Sequence, residues 1–148
     1  MTTIVTRAGK GEPLTWTEGD ANLTNLNTDK LEKTGGTATN VTLNSYSEGS
    51  VYDLGTTGGT IAPDALNGSV QKVVLNSALT INALTNPVVG QSVTLLIYGD
   101  TSYTDITSTM LFAGGVKSLT AASGCIDILT IYYAGSSVYF ASLNKDFK

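Results

Sequence analysis

Histidine is missing altogether from these 148 residues, and cysteine occurs once, as Cys125. The first absence removes the usual general base and the commonest zinc ligand, so Ser-His and Cys-His nucleophilic catalysis are excluded. The second rules out an intramolecular disulfide and a cysteine-built zinc site; beside Ile126 and Ile128, Cys125 reads as a small buried side chain. No cofactor, no metal and no enzymatic activity are expected.

Charge is scarce as well. Only 14% of the residues are charged, against roughly 25% in an average soluble domain, so solubility must rest on neutral polar groups. Twelve acidic against eight basic residues leave a net charge of -4, and no Lys/Arg stripe offers the counterion release that nucleic-acid binding needs. No apolar run approaches the roughly 20 residues that cross a bilayer, so a membrane is not an expected partner. The opening Met-Thr-Thr-Ile lacks the charged-then-apolar pattern of a signal peptide, which predicts synthesis in a cytoplasm.

What the chain does contain changes character part-way along. Thr15 with Glu18 three residues later matches a capping box, and Trp16, Leu23 and Leu26 follow at helical spacing, predicting a helix from about Trp16 to Glu32. Its apolar stripe is narrow, with Lys30 in the next position of the register, so this helix needs a partner surface. Thr34-Gly35-Gly36-Thr37 reads as its end, giving an N-terminal segment of residues 1–36 and a second domain of residues 37–148.

In that second domain the period becomes two: Val41 and Leu43, Val51, Val70–Leu75, Leu79–Leu84, Val93–Tyr98, Ile126–Tyr133 and Val138–Leu143. These Val-, Ile-, Thr- and Tyr-rich runs are broken by Asn67-Gly68, Pro87, Gly90, Gly99-Asp100, Gly114-Gly115 and Gly135. A mainly β fold is expected: an extended arm and short helix, then an antiparallel, jelly-roll-like β-sandwich with its last hairpin across Ala134-Gly135-Ser136. No tandem repeat of fixed period is visible.

The chemical candidates are thin. Asp100 and Asp105 lack the ligand pattern of a calcium loop and read as turn residues. Gly9-Lys10-Gly11 lacks the first glycine and the Lys-Ser/Thr ending of a phosphate loop, so residues 7–11 read as an adaptable arm. Tyr98, Tyr103, Tyr132, Tyr133 and Tyr139 read as strand residues that fill a core, with a sugar-stacking surface as the alternative. The triplets at Asn22, Asn40 and Asn67 read as turn and cap residues rather than glycosylation sites.

The stretch Thr6-Arg7-Ala8-Gly9-Lys10-Gly11, then Pro13-Leu14-Thr15-Trp16, then Asp20-Ala21-Asn22-Leu23 resembles the N-terminal segment of many tailed-bacteriophage virion proteins, chiefly tail fibres and decoration proteins. Leu23 stands where those relatives usually have an aromatic. The resemblance covers about the first 33 residues; Gly90–Leu95 and Gly124–Tyr133 are similar in a general way to the β domains of such proteins. It implies a non-enzymatic, homotrimeric protein of the virion surface, with Arg7, Lys10, Leu14, Trp16, Leu23 and Leu26 meeting the major capsid protein or another virion protein. The shortness of the chain after the arm favours a capsid decoration or cement protein over a short tail fibre that contributes to host attachment. A β domain that binds or cleaves a host surface glycan is the alternative of a different class.

Overall fold

The computed structural model describes residues 4–29, 44–56 and 59–148. The chain divides into two compact units, residues 1–46 and 47–148. The glycine pair expected to mark the boundary, Gly35-Gly36, and the expected strand residues Val41 and Leu43 lie outside the described residues.

The first unit holds two helices, α1 (Arg7–Lys10) and α2 (Trp16–Asp29). The helix expected at Trp16 begins there; its expected last turn, residues 30–32, lies outside the described residues. Residues 7–11, expected as an adaptable arm, instead form one helical turn. Thr6 caps it by accepting from the Gly9 amide at 3.1 Å, and Gly11 closes it at φ 78°, a left-handed conformation that suits a residue without Cβ.

The second unit is mainly β, as expected. Its strands are β1 (Tyr52–Thr56), β2 (Gly59–Ile61), β3 (Val70–Val74), β4 (Leu79–Ile81), β5 (Ser92–Tyr98), β6 (Ile106–Thr107), β7 (Leu111–Phe112), β8 (Ile126–Gly135) and β9 (Val138–Phe147). They form a six-stranded sheet, β1-β3-β5-β8-β9-β7, and a three-stranded sheet, β2-β4-β6. Val73, Leu95, Leu129 and Ile131 from the large sheet and Leu79, Ile81 and Ile106 from the small one share one core, a sandwich-like arrangement. The alternation of buried and part-exposed residues along β5 and β8 is the period of two read in the sequence.

Pairing departs from the antiparallel, jelly-roll-like expectation. β1, β3 and β5 pair in parallel, as do β2, β4 and β6; only β5-β8 and β8-β9 are antiparallel, and β7 adds in parallel to β9. The physical reason lies in the turns. A turn between β3 and β4, or between β5 and β6, hands the chain to the other sheet instead of reversing it beside its predecessor, so the next strand of the same sheet returns in the same direction. Residues 52, 71 and 95 therefore stack in one sheet, and residues 59, 79 and 106 in the other. Each set has unequal spacing because the connections lengthen along the chain, which hides the repeated coil from a search for a fixed period.

Two features close the coil. The β8–β9 hairpin turns through Ser136 and Ser137 at φ 51° and 60°, one residue later than expected, both in a left-handed conformation that a serine adopts under strain. Behind it Asp127, only 1% exposed, accepts from the Thr120 amide at 2.6 Å, the Thr120 hydroxyl at 2.8 Å and the Asp146 amide at 2.8 Å. One buried carboxylate thus ties β8 both to the loop before it and to the end of β9. Cys125 is buried as expected, and its sulfur fills the space that a side chain on Gly99 would need.

Changing Ser136-Ser137 to Asn-Gly should raise stability by about 1 kcal/mol, since both replacements tolerate positive φ. A denaturant midpoint that fails to rise would contradict the turn assignment. Asp127→Ala removes the acceptor of three donors, the Thr120 amide and hydroxyl and the Asp146 amide, and should lower stability by about 3 kcal/mol in the same measurement.

Candidate functional site

The N-terminal unit is knitted by side chains whose partners are far apart in sequence. The capping box forms as read: Glu18 donates its amide to the Thr15 hydroxyl at 3.2 Å, while its carboxylate accepts from the Thr15 amide at 2.7 Å and the Thr15 hydroxyl at 3.0 Å. The same carboxylate oxygen accepts from Lys10 Nζ at 2.6 Å, which joins α1 to the start of α2. Lys10 also donates to the Pro13 carbonyl at 3.3 Å. Further along α2, Asn22 grips the backbone of Val5 with both ends of its amide, accepting from the Val5 amide at 2.9 Å and donating to its carbonyl at 2.8 Å.

Of the residues expected to meet a partner, Lys10 bonds within the unit to Glu18 and Pro13. Arg7 is exposed on α1 and Leu14 is half-buried ahead of α2. Trp16, 91% exposed, and Leu23, 68% exposed, stand out from α2. Leu26 lies on the same helix, and its side chain is outside the described residues.

Residues 16, 19, 20 and 23 share one face of a helix. Here that face carries a shallow groove of about 480 Å³ lined by Leu14, Trp16, Gly19, Asp20, Asn22 and Leu23. Gly19 is the floor of the groove: a Cβ built there meets nothing within 4 Å. Glycine inside a helix costs about 0.5–1 kcal/mol relative to alanine, so the notch is kept at the expense of helix stability. The arrangement offers an indole, a leucine and a gap between them to an apolar partner.

Sequence reasoning missed Thr6 and the Lys10–Glu18 pair as structural residues, and Asn22, expected as a turn or cap residue, instead lies inside α2 and bonds the Val5 backbone. Thr6 and Gly11 bracket a helix too short to show periodicity. The Asn22–Val5 clamp spans 17 residues, and no local pattern announces it.

Among the other candidates Tyr132, expected to fill a core, is instead 41% exposed. Asp100 accepts from the Ser102 amide at 2.8 Å, a turn contact, and Asp105 from the Thr104 hydroxyl at 3.4 Å. Tyr133 and Tyr139 stack with ring centroids 4.8 Å apart, and Tyr103 and Tyr139 pack against the core. Among the described residues no group of three or more acidic, cysteine or histidine side chains is placed to hold a metal ion, and no helix is long and apolar enough to cross a membrane.

The Glu18 carboxyl is lowered from 4.5 to about 2, first by the Lys10 hydrogen bond, then by the Thr15 amide. A carboxyl lowered in the folded state binds its proton more readily when unfolded. Its stabilisation is therefore complete above pH 4.5 and is lost as pH falls through about 2. Following the Glu18 side-chain carbon by NMR should give a midpoint near 2; a midpoint near 4.5 would remove the Lys10–Glu18 link.

Comparison with protein-family models, with curated proteins and with solved structures finds no match to this chain.

Proposed function

We propose that the chain is a structural protein of a tailed-bacteriophage particle: a homotrimeric capsid decoration or cement protein on the virion surface. Its N-terminal unit attaches to the major capsid protein or to another virion protein, and its β unit faces outward. The observation that carries this reading is the exposure of Trp16 on a helix whose start is fixed by Thr15, Glu18 and Lys10. A large aromatic left in water on a rigid support is the form that binding hot spots take before they are covered. That support is built from the very residues on which the resemblance to phage N-terminal segments rests: Thr6, Lys10, Gly11, Thr15 and Asn22.

Attachment follows from burial. Covering Trp16 and Leu23 contributes about 1.5–3 kcal/mol for each side chain before ordering costs. The helical turn and the Asn22 clamp reduce those costs, because the segment is ordered before it docks. Three such units on one trimer convert a weak single contact into firm attachment through high effective concentration. By bridging capsid subunits, the trimer would oppose their separation.

Trp16→Ala with Leu23→Ala should abolish co-sedimentation with particles lacking this chain while leaving its circular dichroism unchanged; undiminished binding would overturn the attachment role. Gly19→Ala separates stability from docking. It should stabilise α2 by about 0.5–1 kcal/mol yet weaken particle binding at least several-fold, and unchanged binding would remove the notch from the site.

A further inference from the structure

The groove on α2 holds one polar side chain that the unit itself does not use. Of the residues lining it, Thr15 is bonded to Glu18 and Asn22 to Val5, and Leu14, Trp16, Gly19 and Leu23 carry no charge. Asp20 is the exception. It is exposed, and no described residue gives its carboxylate a hydrogen bond or an ion pair. The two acidic residues ahead of it in the chain, Glu12 and Glu18, both lie within reach of Lys10, at 3.9 Å and 2.6 Å. Residues three and four apart are neighbours on a helix, so Asp20 has Trp16 one turn before it and Leu23 one turn after. Gly19 leaves open the space between those two.

We infer that the virion protein to which this unit attaches inserts an arginine side chain into the groove, with its guanidinium on Trp16 and Asp20. The inference rests on the attachment reading and names what the partner must present. Charge decides the sign: a carboxylate covered by an apolar surface loses its water with nothing in return, whereas a cation restores the lost interaction. Shape decides between the two basic side chains. A guanidinium is flat, so it can lie on the indole face while its edge gives two parallel N–H bonds to the carboxylate. An ammonium is a point charge with no plane to stack. The methylene stem of arginine is apolar and would lie over Gly19 against Leu23, where no Cβ obstructs it.

The test compares co-sedimentation of the full chain and its variants with particles lacking it. Asp20→Asn keeps the size of the side chain and removes its charge; because the carboxylate supports no bond within the unit, circular dichroism should not change. Binding of this variant should fall at least about tenfold at low salt. The gap to the native chain should narrow as salt rises, since screening weakens an ion pair and leaves apolar contact intact. Asp20→Glu keeps the charge and should bind within a few-fold of the native chain. An Asp20→Asn variant that binds as tightly as the native chain at low salt, a deficit that salt does not change, or an Asp20→Glu variant as weak as Asp20→Asn overturns the inference. Trp16→Ala with Leu23→Ala reports the attachment reading itself. Loss of binding there beside full binding by Asp20→Asn leaves the attachment standing and removes only the arginine, whereas a native chain that does not co-sediment removes both.

Discussion

The Glu18 carboxylate is the point on which the presentation of the N-terminal unit depends. It takes the Thr15 amide and hydroxyl on one side and the Lys10 ammonium on the other, so one group caps the start of α2 and links α1 to it. Asn22 adds the third tie, to Val5. Trp16 follows immediately after this knot, and its direction is set by these contacts. An ion pair near the surface contributes little to stability by itself; here its geometry matters more than its energy, because it decides where the indole stands.

The β unit solves a different problem. Parallel strands cannot be joined by tight hairpins, and the chain meets that constraint by alternating between two sheets, so that each coil deposits one strand in each. The core that results is lined by Val73, Leu95, Leu129 and Leu79, all almost fully withdrawn from water. Its last part is antiparallel, closed by a strained serine turn and by the buried Asp127 carboxylate.

Much of this was legible in the sequence, and the limits are physical. The capping box was readable because both partners lie within one turn, and β5, β8 and β9 because long alternating runs declare themselves. Strands β2, β6 and β7, of two or three residues, are too short to carry a period. Parallel pairing escaped because a glycine or asparagine turn looks the same whether it reverses a strand or passes it to another sheet. At the candidate site helical spacing places Trp16 and Leu23 on one face of α2, where both are exposed. Sequence spacing does not show that the Lys10 ammonium meets Glu18 eight residues away.

Trp16 is the single tryptophan of the chain, so fluorine-labelled tryptophan gives one NMR signal that reports this site alone. In the free protein the signal should show full contact with solvent, as a side chain 91% exposed requires. Addition of particles lacking the chain should broaden and shift that signal and remove its solvent sensitivity. A signal that stays sharp and solvent-sensitive while the chain is bound to particles would contradict attachment through the N-terminal unit.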